Sequence, residues 1–211
     1  MTPLLTPQIY KTGYFYFYCV MLNIVIFGAP GSGKGTQSDK IIAEYGVEHI
    51  STGDVLRAEI KGGTELGKTA AAYINDGKLV PDSLIIDILA STLDAKGKDI
   101  KGVIFDGFPR TIAQAEALNA MLAERGQAVS TVIGLEVDDA ELIKRIIARG
   151  KTSGRADDNE ETAKKRLDTY YSQTLPLKDF YIAEGKYAKI DGVGSIDDIY
   201  ASIKNAIDAV K

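Results

Sequence analysis

A nearly apolar stretch, Leu22–Phe27, runs straight into Gly28-Ala29-Pro30-Gly31-Ser32-Gly33-Lys34-Gly35-Thr36, and a helical pattern starts immediately behind it. Strand, glycine-rich turn and helix in that order leave few folds open. The strand has to lie inside a sheet covered on both faces, and the helix has to pack back on it. Three glycines and a proline shape a loop whose backbone N–H groups can point inward at an anion, and the helix N-terminus adds its positive dipole end. Lys34 supplies a charge that reaches β- and γ-phosphates. The pattern follows GxxxxGK[ST] with one departure: Gly35 takes the hydroxyl position and Thr36 comes one residue later, so a direct hydroxyl bond to Mg²⁺ is not expected. A glycine turn without a ligand is the alternative, and the ordered strand, loop, lysine and helix argue against it. By itself the loop points to nucleotide phosphates and no further.

From Met21 onward, short apolar strands alternate with amphipathic helices, the pattern of an α/β fold with a parallel sheet. Strands are predicted at Leu22–Phe27, Val47–Ile50, Gly102–Phe105, Thr131–Val137 and Tyr187–Ile190. Helices are predicted at Lys34–Tyr45, Thr52–Lys61, Glu65–Asn75, Asp82–Ala95, Ile112–Arg125, Ala140–Arg149, Glu160–Thr174, Leu177–Glu184 and Ile196–Val210, with Gly46, Gly62-Gly63 and Gly126 as breaks. Roughly fifty residues of pure helix separate the second and third strands, more than one crossover needs. Part of that stretch is expected to be an inserted helical subdomain.

At 211 residues, with 45% hydrophobic and 26% charged side chains, the chain has the composition of one globular domain. A net charge of −4 argues against a general nucleic-acid coat, although a local basic pocket can sit within an acidic total. One cysteine, Cys19, and one histidine, His49, rule out an internal disulfide and a Cys/His zinc site. The lack of disulfides fits a reducing, cytoplasmic setting. No apolar run reaches the roughly 20 residues of a membrane span. Residues 1–20 differ from the rest, with Pro3, Pro7 and five consecutive aromatics from Tyr14 to Tyr18. A signal peptide fits poorly, because the basic region holds only Lys11 and no small-residue cleavage site follows. These residues are read as an upstream extension with Met21 as the natural start. An aromatic partner-binding patch is the other reading.

The chain has seven arginines, and arginine is the better group for planar, bidentate phosphate recognition. Arg57, in Ser51-Thr52-Gly53-Asp54-Val55-Leu56-Arg57, follows the second strand. Arg110, in Phe105-Asp106-Gly107-Phe108-Pro109-Arg110, follows the third. Both lie at carboxyl ends of strands, where open α/β sheets bind ligands. Arg145 and Arg149 share a helix face, and Arg155 and Arg166 bracket the next loop and helix. Arg125 is set apart as a helix C-terminal cation. Asp106 ends an apolar strand as a Walker-B carboxylate does, and Asp54 is a second candidate near the same phosphates. Either could instead cap the helix that follows it.

GAPGSGKGT, STGDVLR, DGFPRT with Gln114 four residues after Arg110, and GRADDNEETAKKR occur in one order and spacing over Met21–Lys211. In this the chain resembles the adenylate kinases of the nucleoside-monophosphate kinase family. The resemblance implies a P-loop kinase core with a five-stranded parallel sheet, a helical monophosphate-binding subdomain at residues 51–80 and a short lid at residues 150–158. It assigns Gly31, Ser32, Gly33, Lys34, Gly35, Thr36, Arg145, Arg149 and Gly194 to ATP. Thr52, Arg57, Lys78, Leu79, Val80, Gly107, Phe108, Pro109, Arg110, Gln114, Arg155 and Arg166 go to AMP. Lys34 and Arg110, Arg145, Arg149, Arg155 and Arg166 become the catalytic cations. Asp54 and Asp106 would hold Mg²⁺ through its waters. The lid is too short, and lacks the ligands, for the zinc site of longer-lid relatives.

The implied reaction is MgATP + AMP ⇌ 2 ADP in a monomer that binds neither nucleic acid nor membrane. The attacking phosphate is already largely ionised at neutral pH, its second pKa being about 6. No general base is needed, and positioning with charge stabilisation must do the work. Thr52 and Gln114 argue against a UMP/CMP kinase of the same fold, and the intact arginine set argues against a nucleotide-binding regulator without turnover.

Overall fold

The structure is a computed structural model in which residues 21–97, 100–153, 155 and 157–211 are described. Residues 1–20, and with them the expected extension, lie outside the described residues, as do two positions of the expected lid, 154 and 156.

Five strands form one parallel sheet: β1 (Leu22–Gly28), β2 (Glu48–Ser51), β3 (Gly102–Asp106), β4 (Thr131–Glu136) and β5 (Tyr187–Asp191). Their spatial order is β2-β3-β1-β4-β5. The chain leaves β1 toward one edge and later returns to the other side, so the topology reverses beside β1. Open α/β sheets form their ligand crevice at such a point, at the carboxyl ends of the strands.

β1 is buried at every position, as a central parallel strand between two helical layers must be. Alternation divides its side chains. Ile24 and Ile26 join Ile41 of α1 (Lys34–Tyr45) and Ile203 and Ile207 of α9 (Ile196–Asp208) on one face. Val25 and Phe27 join Leu89 of α4 (Asp82–Lys96), Leu118 and Leu122 of α5 (Ile112–Glu124) and Tyr181 of α8 (Leu177–Ala183) on the other. Between β2 and β3 lie three helices: α2 (Thr52–Gly62), α3 (Glu65–Asn75) and α4. Gly63, at φ 66°, takes the left-handed turn that separates α2 from α3.

Two expected boundaries are corrected. The helix after β4, α6 (Asp139–Ser153), does not stop at Arg149 but runs four residues into the segment read as lid. Gly150 does not end it. A Cβ at Gly150 would lie 2.1 Å from the Asp158 carbonyl oxygen, so the glycine serves the close return of the loop over the helix. Second, residues 160–174 are not one α-helix. They form α7 (Glu160–Thr169) followed by a π-helical turn at Tyr170–Thr174, in which Leu175 N–H donates to the Tyr170 carbonyl. Pro176 lacks an N–H and its ring crowds the carbonyl four residues earlier. A wider turn accommodates both demands. Arg125 does more than complement a dipole: it donates to the Met121 carbonyl and pairs with Asp94. Among the described residues, no helix is long and apolar enough to cross a membrane.

Candidate active site

The loop after β1 is built from its glycines. Gly31 and Gly33 take φ 86° and 96°, and Gly33 precedes the first turn of α1. Lys34 folds back so that its Nζ donates to the carbonyls of Gly28 at 2.8 Å and Ala29 at 3.0 Å. This holds the ammonium at the mouth of the loop. Burial pushes its pKa down to about 8, while Asp106 pulls the other way and Arg110, Arg166 and Arg149 add to the fall. Ser32 is buried beneath the loop, and Gly35 and Thr36 are exposed at the helix start.

This loop is one wall of a cleft of about 530 Å³. Asp54, Arg57, Asp106, Arg110, Arg145, Arg149, Arg155 and Arg166 all line it, so residues drawn from six separate segments meet there. Opening beside it is a smaller cavity of about 70 Å³, lined by Thr52, Arg57, Lys78, Leu79, Val80, Gly107, Arg110, Gln114 and Arg166 among others. The two spaces share Gly53, Arg57, Gly77, Leu79, Gly107, Arg110 and Arg166. Pro109 faces the large cleft, and Phe108 is buried behind it. Gly194 lines neither space. The nearest link to it is Arg145, whose Nη1 donates to the Gly192 carbonyl at 3.1 Å while its Nε holds Glu141 at 2.8 Å.

The arginines differ in their partners. Arg149 grips Asp158 with both arms, at 2.6 and 2.7 Å, and Asp158 raises its pKa. Arg166 pairs with Asp157 at 2.8 Å and Asp158 at 3.1 Å. Arg57 pairs with Asp54, and Arg155 comes within 3.8 Å of the same carboxylate. Arg110 has no carboxylate within ion-pair distance among the described residues. Its Nε donates to the Gly107 carbonyl at 2.8 Å, to which Thr52 Oγ1 also donates at 3.0 Å. Burial and the neighbouring Arg166 pull Arg110 down to about 10. An under-compensated guanidinium beside a second one is a receptor for a dianion.

Neither aspartate is a helix cap. Ser51 caps α2 and Thr111 caps α5 through their hydroxyls. Burial is the largest influence on Asp106 and pushes its pKa upward, but His49, Lys34 and Arg110 outweigh it and keep the group ionised. His49, 3.7 Å from Asp106, has its own pKa raised by that carboxylate, against burial. The carboxylates of Asp39, Asp54 and Asp106 and the Thr36 hydroxyl line the cleft, and these are hard oxygen donors. Among the described residues, no three His, Cys, Asp or Glu side chains cluster into a metal cage. The set therefore fits a hard cation that keeps its waters and arrives with phosphates.

Sequence reasoning left His49, Asp157 and Asp158 without a role, and it did not reach Asp82, which bonds Gln114. For the aspartate pair there was a signal, since two adjacent acids between Arg155 and Arg166 invite pairing. For Asp82 there was none.

A parallel sheet with a glycine loop and helix N-terminus at its reversal point, facing converging arginines and two adjoining cavities, is the architecture of a P-loop phosphotransferase. The family model for adenylate kinase matches residues 26–186. The chain is 69% identical over 188 residues to an adenylate kinase of Bacteroides thetaiotaomicron, covering 89% of this chain and 99% of the relative. It is 68% identical over 188 residues to that of Phocaeicola vulgatus, with the same shares covered. Its identity to that of Porphyromonas gingivalis is 54% over 188 residues, 89% of this chain and 96% of the relative. The chain belongs to the adenylate kinase family. It is an enzyme, an ATP:AMP phosphotransferase whose reaction reversibly gives ADP.

Proposed function

We propose that the large cleft takes MgATP and the small cavity AMP, with the transferring phosphoryl group where the two meet. The observation that supports this most strongly is that Arg57, Arg110 and Arg166 line both spaces. In this reading a phosphate oxygen of AMP attacks the γ-phosphorus in line. The bond from that phosphorus to the β–γ bridging oxygen breaks, and one ADP forms on each side. AMP needs no deprotonation at neutral pH, so His49 is not required as a base. Lys34 and the loop amides of Gly31–Thr36 bind the donor phosphates, and Arg145 and Gly194 serve its base end. Arg57 and Arg110 clamp the AMP phosphate. Arg149, Arg155 and Arg166 offset charge on the equatorial oxygens as the bond exchanges. Thr52, Lys78–Val80 and Gln114 line the AMP nucleoside. Asp106 is the better placed of the two aspartates to hold Mg²⁺ through its waters, Asp54 being engaged by Arg57. When bound, the ion would offset negative charge on the donor phosphates.

Residues 51–80 serve as the monophosphate subdomain, and residues 150–158 as the lid that excludes water on closing. Residues 1–20 are an extension outside the catalytic unit. The enzyme acts in the cytoplasm as a monomer, with ATP, AMP and ADP as partners and without zinc. The test is a coupled assay of ADP formation from ATP plus AMP. Turnover should require AMP and added Mg²⁺ and should survive zinc chelation. ADP released from ATP at equal rate without AMP would sink the reading.

A further inference from the structure

Behind Gln114 lies a group that no part of the reaction has yet used. The Gln114 side chain is 2% exposed and both its ends are bonded. Its Oε1 accepts from the Arg110 backbone N–H at 2.8 Å, and its Nε2 donates to Asp82 Oδ1 at 2.7 Å. The other oxygen of Asp82 accepts from Thr111 Oγ1 at 2.9 Å. Asp82 belongs to the first turn of α4, where a carboxylate is favoured. It does not itself line the small cavity, whereas Gln114 does.

Each partner is one-directional. A backbone N–H can only donate, so the atom facing it must be the amide oxygen. An ionised carboxylate can only accept, so the atom facing it must be the amide nitrogen. Turning the amide over would set N–H against N–H and oxygen against carboxylate. We infer that Asp82 is a positioning residue for base specificity, locking the sense of the Gln114 amide from 32 residues away. The inference rests on the assignment of Gln114 to the AMP base.

A primary amide has two N–H groups and two lone pairs on oxygen. With one of each committed, one donor and one acceptor remain for the cavity. Adenine offers an amine donor beside a ring-nitrogen acceptor, and an amide held in one sense meets both in one pose of the base. Hypoxanthine presents the reverse, a carbonyl beside an N–H, and would match only the inverted amide. A glutamine free to turn would serve both bases; held at both ends, it serves one.

The test compares AMP with IMP as acceptor, at saturating MgATP, in wild type, Asp82→Ala, Asp82→Ser, Asp82→Asn and Gln114→Ala. Loss of the carboxylate should lower the AMP-to-IMP ratio of kcat/KM by about 5- to 20-fold, mainly through a lower KM for IMP. Serine, whose hydroxyl both donates and accepts, should fall with alanine. Asparagine should keep the ratio, since its carbonyl still accepts from Nε2 and its amide nitrogen can turn to Thr111. The KM for ATP should stay within about twofold, which checks that each variant folds. A role confined to packing would weaken both acceptors alike and leave the ratio unmoved. A ratio unchanged in Asp82→Ala and Asp82→Ser but lost in Gln114→Ala overturns the inference and spares the base assignment. Equal loss in Asp82→Asn overturns it too. A ratio unchanged in Gln114→Ala removes the base assignment, and the inference with it.

Discussion

Lys34 is held over the glycine loop by two carbonyls, and burial lowers its pKa to about 8. The ammonium is the form that attracts phosphate; it is full well below that value and is lost as pH rises through it. In the free enzyme, kcat/KM for ATP should therefore fall on the alkaline side with a midpoint near 8, where burial sets the lysine. With ATP bound, the polyphosphate favours the ammonium again, so kcat should stay level to higher pH. Coincident alkaline midpoints for both parameters would contradict this. Arg110 differs in kind, because no carboxylate pairs with it among the described residues. Arg110→Ala should cost about 10²- to 10⁴-fold in kcat/KM for AMP. A loss under about threefold in a folded variant would remove the arginine from the reacting centre.

Among the elements, α7 joins the two halves of the site. It carries Arg166, and it also packs on the turn Asp76-Gly77-Lys78 that leads from α3 into Lys78–Val80. Thr169 Oγ1 donates to the Gly77 carbonyl at 2.9 Å, and Lys165 reaches Asp76 at 3.3 Å. Gly77 sits at φ 71°, and a Cβ there would lie 3.0 Å from Lys165 Cβ and 3.3 Å from the Arg166 backbone nitrogen. Gly77→Ala is strained in backbone and short of space together. It should cost roughly 1–3 kcal/mol of stability and push α7 away from Lys78–Val80, the segment proposed to line the AMP nucleoside. KM for AMP should rise at least about fivefold while KM for ATP changes less, as expected when only one substrate's contacts are lost. Equal rises in both would place the effect in global stability instead. Thr169→Val, which removes only the hydroxyl, should move the same ratio by a smaller amount.

On the scale of the molecule, an acidic chain of net charge −4 gathers Lys34 and six arginines around one cleft. Such focusing draws polyanions in by long-range attraction, and salt weakens it. The sheet supplies the rigid floor, with β1 buried throughout, and α2, Gly77, Leu79, α6 and α7 contribute to the walls. All the groups placed in the site lie after Met21. Removal of residues 1–20 should therefore leave kcat and both KM values within about twofold of the full chain. A folded, truncated enzyme that lost most of its turnover would make the aromatic extension part of the catalyst.

The local features were legible in one dimension. Strand, glycine loop, lysine and helix are neighbours in the chain, so their order dictates the phosphate cradle; α1 and α3 begin and end where caps and periodicity place them. Arg57 and Arg110 could be named because each sits in a short run beside a strand end, and Arg145 and Arg149 because their spacing puts them on one helix face. What the chain order could not convey was pairing. That α6 continues past Gly150 depends on the return of Asp158 above it, and the π-turn depends on how the chain passes Pro176. His49 stands beside Asp106 because β2 pairs with β3 in that register. Asp82 meets Gln114 because two helix N-termini converge. Local propensity and motif spacing act over a few residues and so are written in the sequence. Which lone pair faces which N–H, and which carboxylate faces which guanidinium, depends on contacts between distant segments, and packing alone brings those together.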